Sequence, residues 1–83
     1  MNEMLREVHF LITQLIEEEK FPAYIQMKEV LDECFKADGA DPKEFIKSKL
    51  GLCIRLLMEA PPRNKVMGEK ILEKLECTYK LLA

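Results

Sequence analysis

The stretch FIKSKLGLCIRLLMEA, residues 45–60, decides the predicted fold of this chain. On a helix with 100° per residue, its apolar side chains cover an arc of roughly 200°, which leaves only a narrow polar strip. A helix with so wide an apolar surface must be covered from several sides. The stretch therefore predicts an all-α domain in which the other segments pack around this helix as the most buried element.

Three more helices are predicted from apolar residues that recur at intervals of three and four. Their expected ranges are 3–19, 22–36 and from about 65 almost to the end of the chain. The third helix is expected to begin at Asp41-Pro42-Lys43-Glu44, with Asp41 as cap and Pro42 in the first helical position. Asp38-Gly39 predicts the end of the second helix and Pro61-Pro62 the end of the third, while Asn64 is the expected cap of the fourth.

The short connections place consecutive helices antiparallel. We therefore expect residues 1–83 to form one domain, a small antiparallel four-helix bundle with up-down-up-down order. Lys49, the one charge inside the apolar arc of the third helix, is expected to extend along that arc to water. The predicted core comprises Ile12, Leu15, Val30, Leu31, Phe45, Leu52, Leu56, Leu57, Ile71 and Leu75.

The chain has 83 residues and a net charge of −2, but its charge is unevenly distributed. Residues 1–41 carry ten acidic and four basic side chains, whereas residues 42–83 carry five acidic and nine basic ones. One interpretation is that oppositely charged helices pack side by side. The other is a basic surface for an acidic partner such as nucleic acid, which the mixed signs in the second half disfavour.

Residue types that carry chemistry are few and scattered. Cys34, Cys53 and Cys77 fall on three different predicted helices without a C-x-x-C motif, so we expect reduced thiols in a cytoplasmic protein. The single histidine and the absence of a phosphate-binding glycine motif indicate neither a metal, a cofactor nor an enzyme. The N-terminal residues do not resemble a secretory signal, and no apolar run has the length of a membrane span.

Two large apolar residues do not fit the inward stripes of their helices. Phe10 and Ile25 lie out of phase in the acidic half of the chain. Either a terminus, a loop or an over-wide core covers one or both of them, or they form part of an interface with a protein partner or a second copy. The polar rim predicted around Phe10 comprises Arg6, Thr13, Gln14 and Glu17. The sequence therefore predicts a non-enzymatic interaction or regulatory module, with a homodimer or a helical partner docking on the first helix.

In helix order, helix length and the Asp41-Pro42 start of its third helix, the chain resembles the four-helix immunity proteins of pediocin-type bacteriocin producers. That resemblance implies a toxin-neutralising role as an alternative function.

Overall fold

The computed structural model describes residues 2–36 and 42–82. Within these ranges the chain forms four helices and no strand, which confirms the all-α four-helix prediction: α1 (Asn2–Glu18), α2 (Pro22–Lys36), α3 (Pro42–Glu59) and α4 (Lys65–Leu82). The predicted stop at Asp38-Gly39 and the predicted cap at Asp41 lie outside the described residues. None of the described helices combines the length and apolar content needed to cross a membrane.

The helices form a ring in which α1 contacts α2, α2 contacts α3, α3 contacts α4, and α4 contacts α1. Over the described residues, the diagonal pairs α1–α3 and α2–α4 are not adjacent. Along α2, Tyr24 hydrogen-bonds Ala60 just beyond the end of α3, whereas Glu33 pairs with Lys49 nearer the start of α3. This reversed order of partners supports the up-down-up-down order, which stays a prediction for the bundle as a whole.

Each helix contributes one inward stripe to the core, as amphipathic helices do. Seven of the ten predicted core residues are buried there. On α3 the stripe repeats at intervals of four, three and four residues. The buried residues are Leu5, Val8, Ile12 and Leu15 on α1, Tyr24, Met27, Val30, Leu31 and Cys34 on α2, Ile46, Leu50, Cys53 and Leu57 on α3, and Gly68, Ile71, Leu75, Thr78 and Leu82 on α4.

The prediction that α3 is the central, most buried helix is wrong. Phe45 and Leu52 are 42% and 40% exposed, and Leu56 is only half-buried. Both exposed residues lie roughly 120° around the helix from the buried stripe. A helix at one corner of a four-membered ring directs only one stripe inward, so the flanks of its wide apolar arc stay at the surface.

Lys49 lies on the α2 side of this apolar arc and finds partners on both helices. Its Nζ lies 3.1 Å from the carboxylate of Glu33 on α2 and 5.3 Å from the ring centroid of Phe45. The aliphatic part of the lysine thus follows the apolar surface while its charge is paired at the edge. Phe45, which the sequence assigned to the core, instead supports this surface ion pair.

The turns after α1 and α3 are held together at one end of the bundle. The hydroxyl of buried Tyr24 donates to the carbonyl of Ala60 at 2.7 Å. The carboxylate of Glu19 accepts from the backbone N–H of Arg63 at 3.0 Å and of Asn64 at 3.3 Å. Burial, and secondly the charge of Glu19, raises the pKa of Tyr24, so the phenol remains a hydrogen-bond donor at neutral pH.

Asn64 caps α4, as the sequence predicts. Its side-chain oxygen accepts from the backbone N–H of Met67 at 3.1 Å. One turn further on, buried Gly68 leaves space for the ring of Pro62, which would lie only 3.1 Å from a Cβ at that position. Pro62, which lies just beyond the end of α3, therefore packs against α4.

Opposite charges meet where the acidic and basic halves of the chain adjoin. Glu7 on α1 pairs with Lys74 on α4, and Glu33 on α2 pairs with Lys49 on α3. Both pairs are partly exposed, so each contributes little to stability. Their position at the two boundaries between the halves supports the side-by-side packing interpretation of the uneven charge.

Two leucines two positions apart on α3 test this assignment of the core. Leu50→Ala should lower the free energy of unfolding by about 2–5 kcal/mol, because Leu50 is fully buried. Leu52→Ala should lower it by less than about 1 kcal/mol, because its side chain already contacts water. Chemical denaturation followed by circular dichroism measures both values. Equal losses would contradict the one-stripe description of α3.

Candidate functional site

Phe10 is 61% exposed at the middle of the outer face of α1. It lies about 180° around the helix from the stripe that contains Val8 and Ile12, both of which are 0% exposed. None of the described termini, turns or neighbouring helices buries the ring. Over the described residues, the first interpretation of Phe10, that local structure covers it, therefore does not hold.

The four residues predicted as a rim share this outer face with Phe10. Arg6 and Glu17 are exposed, and Thr13 and Gln14 are half-buried. The Thr13 hydroxyl donates to the carbonyl of His9 at 2.8 Å, so its methyl group is the part left for contact with a partner. The resulting surface, an aromatic ring with polar side chains around it, has the composition of a small interface centre and rim. We call these five residues the α1 face.

Ile25 lies on α2, 43% exposed, and is separate from the α1 face. His9 Nε2 on α1 lies 2.9 Å from Asp32 Oδ1 on α2, so these two residues are at the same height along the bundle axis. On that alignment Ile25 is level with about Ile16, roughly 9 Å along the bundle from Phe10. Ile25 therefore flanks the α1 face on the neighbouring helix and is not part of the ring of residues around Phe10.

Other apolar side chains are as exposed as Phe10, and the sequence prediction missed them. Met58, Val66 and Leu81 are 67%, 66% and 65% exposed. Val66 and Leu81 fall outside the apolar stripe of α4 in the same way that Phe10 does in α1, so the same periodicity signal would have found them. Val66 lies in the first turn and Leu81 in the last turn of α4, whereas Phe10 is in the middle of its helix.

An apolar groove of about 210 Å³ lies between the end of α3 and the start of α4. Met58, Pro61, Pro62 and Leu72 supply its apolar walls, with Lys65 and Glu69 at the rim. Pro62 and Gly68, which approach each other closely, both line the groove. The groove offers apolar surface without a charge pattern that would select one partner.

The thiols are in two environments. Cys34 and Cys53 are buried and free, and Cys77 is exposed and free. Burial raises the pKa of Cys34 to about 11 and that of Cys53 to about 12, so both stay protonated at neutral pH. The Cys53 thiol also donates weakly to the carbonyl of Met27 at 3.8 Å. A protonated, buried thiol is a poor nucleophile, so these two cysteines act as small apolar core residues.

Within the described residues, His, Cys, Asp and Glu side chains do not cluster in groups of three that would hold a metal ion. Comparisons of the chain with protein-family models, with curated proteins and with solved structures find no match. The interpretation of the α1 face therefore rests on its own geometry and charge.

Thiol accessibility tests this placement of the cysteines. With Ellman's reagent at pH 8, the native protein should react quickly at one thiol, Cys77, and at three in denaturant. Cys77→Ser should remove the fast reaction and leave the slow reaction of the two buried thiols unchanged. Fast reaction of two or three thiols in the native wild type would show that α2 and α3 do not pack as described.

Proposed function

We propose that this chain is a non-enzymatic protein–protein interaction module that binds its partner through the α1 face. The observation that carries the proposal is the 61% exposure of Phe10 in mid-helix, opposite a fully buried stripe on the same helix. Exposing an aromatic ring in the centre of a helix has no benefit for the isolated bundle. Burying it in an interface removes apolar area from water, and aromatic side chains are the usual energetic centres of interfaces.

The surroundings of Phe10 fit a binding surface as well. Arg6 and Glu17 are exposed on the two sides of the ring along the helix, so charges of both signs are available to select a partner and its orientation. Ile25 on α2 extends the apolar surface toward the neighbouring helix. We place the protein in the cytoplasm, because its two buried cysteines serve as reduced apolar residues and a reducing compartment keeps them so.

Photo-crosslinking tests the α1 face as the binding surface. Phe10 is replaced with p-benzoylphenylalanine and the protein is irradiated in the cells that produce it. We expect a covalent adduct, because the probe keeps an aromatic ring at the centre of the face. The matched control carries the same probe at Val66 on α4, which is 66% exposed against 61% for Phe10.

An adduct from position 10 but not from position 66 supports the proposal, whether the captured chain is a second copy or a different protein. The proposal fails if position 10 gives no adduct, or if both positions capture the same proteins. Circular dichroism of both probe variants should match the wild type, because both substituted side chains already contact water.

The nucleic-acid alternative has a specific surface on α3 that makes it testable. Lys47, Lys49 and Arg55 line a shallow depression with Tyr79, and Glu44 shares it. Lys49 already pairs with Glu33, and the Nζ of Lys47 lies 5.5 Å from the ring centroid of Tyr79. Glu33 compensates the charge of Lys49, which leaves Lys47 and Arg55 as the cations of this depression that could contact phosphate groups.

We expect no measurable binding of duplex DNA or single-stranded RNA at physiological salt in fluorescence anisotropy. A few cations interrupted by acids release too few counterions to sustain affinity at that salt concentration. Micromolar binding that weakens steeply as salt is added, and that Arg55→Glu abolishes, would instead favour a nucleic-acid-binding function.

A further inference from the structure

We propose that the α1 face binds a second copy of this chain as an antiparallel, two-fold symmetric helix pair. This inference rests on the interaction function proposed above and names the partner. It follows from the spacing and charge order of the residues on the outer surface of α1.

The outer surface of α1 carries a seam with alternating steps of three and four residues, the spacing of residues in a coiled-coil contact. Five seam residues are exposed and Thr13 is half-buried. Lys20 lies in the turn directly after the helix, and from Glu3 to Glu17 the seam is about 21 Å long. We call this set the outer seam: Glu3, Arg6, Phe10, Thr13, Glu17 and Lys20.

The charges of the outer seam are complementary to those of the same seam in reverse. With a two-fold axis between Phe10 and Thr13, Arg6 faces Glu17 of the second copy, and Glu3 faces its Lys20. Phe10 then packs against the methyl group of Thr13. Two-fold symmetry makes every one of these contacts twice, so four opposite-charge pairs surround two aromatic contacts.

Two other pairings of the same seams bring like charges together. A parallel pair places Glu3, Arg6 and Glu17 each against its own copy. An antiparallel pair centred on Phe10 itself places Glu3 against Glu17. Like charges at such distances are unfavourable, so the charge order favours the proposed pairing over both of these.

Three acids beside the seam have partners within their own chain. Glu7 pairs with Lys74, and Glu18 accepts from the side chain of Asn64 at 3.5 Å, so both acids are directed toward α4. On the α2 side, Asp32 is occupied by His9. Lys74 compensates the charge of Glu7, so Glu7 adds little repulsion toward a second α1.

The expected dimer is weak. One helix pair, even with Ile25 at its edge, buries less than the roughly 800 Å² per partner of a standard interface. Association should therefore become evident at high micromolar protein concentration, and added salt should weaken it because the pairs are exposed.

Charge exchange in sedimentation equilibrium tests both the partner and the register. Arg6→Glu alone and Glu17→Arg alone each turn two attractive pairs into repulsive ones and should weaken self-association about tenfold or more. An equimolar mixture of these two variants should form a heterodimer, because positions 6 and 17 are both acidic in the first variant and both basic in the second. The double variant should self-associate like the wild type.

Lys70→Glu, an exposed charge reversal on α4, is the matched control and should leave the association unchanged.

Several results would overturn the inference: a wild type that is monomeric at high micromolar concentration, single variants that dimerise as well as the wild type, or a mixture that does not associate. Circular dichroism of each variant checks that the bundle is intact. If the wild type is monomeric but photo-crosslinking from position 10 captures a different protein, the second-copy inference is wrong and the interaction function stands. If position 10 captures nothing, the interaction function fails as well.

Discussion

The closed ring of four helices limits how much of each helix surface reaches the core. Each helix contacts two neighbours and directs one stripe inward, such as Leu5, Val8, Ile12 and Leu15 on α1. A chain of 83 residues buries a modest fraction of its surface when it folds, so nearly every inward position must be apolar and well packed. The same geometry leaves the apolar residues outside these stripes in contact with water. Phe10 is exposed for two reasons. The closed arrangement of four helices buries only one stripe of α1, and Phe10 lies on the opposite side of the helix from that stripe.

Apart from the weak bond between the buried Cys53 thiol and the Met27 carbonyl, the side-chain hydrogen bonds and ion pairs between the described helices lie at the borders of this ring. The hydroxyl of Tyr24 and the carboxylate of Glu19 join the turns after α1 and α3. Glu7–Lys74 and Glu33–Lys49 join the acidic half of the chain to the basic half. Between the two acidic helices, a hydrogen bond joins His9 on α1 to Asp32 on α2. Buried packing supplies most of the stability in such a domain, and these contacts add specificity to which helices become neighbours.

Periodicity predicted the four helices, their breaks at Pro22 and Pro61, and the cap at Asn64, because these signals are local. Periodicity did not predict the burial of α3 correctly. A wide apolar arc shows which side chains could be buried, but it does not show how many neighbouring helices will cover them. Phe45 and Leu52 are the residues on which that distinction failed. The partners of Glu19 were also beyond prediction, because Arg63 and Asn64 are more than forty positions away along the chain.

For the α1 face, the position of Phe10 outside the apolar stripe of α1 indicated that it points outward, but only the fold shows that no described element covers it.

The charge order of α1 bears on why an aromatic residue is tolerated at the surface there. An exposed apolar residue surrounded by charges of one sign would bind many oppositely charged surfaces. Neither the electrostatic attraction nor the apolar area would distinguish one such surface from another. In the outer seam, Arg6 and Glu17 have opposite signs on the two sides of Phe10 along the helix. A partner must cover the phenyl ring of Phe10 and also match the order of the two charges. A surface that covers Phe10 with charges in another order places a like charge against Arg6 or Glu17. The reversed copy of the same helix meets both conditions at once. In the dimer that we propose, specificity would come from the arrangement of a few exposed charges around one apolar contact, without a deep pocket or a large interface.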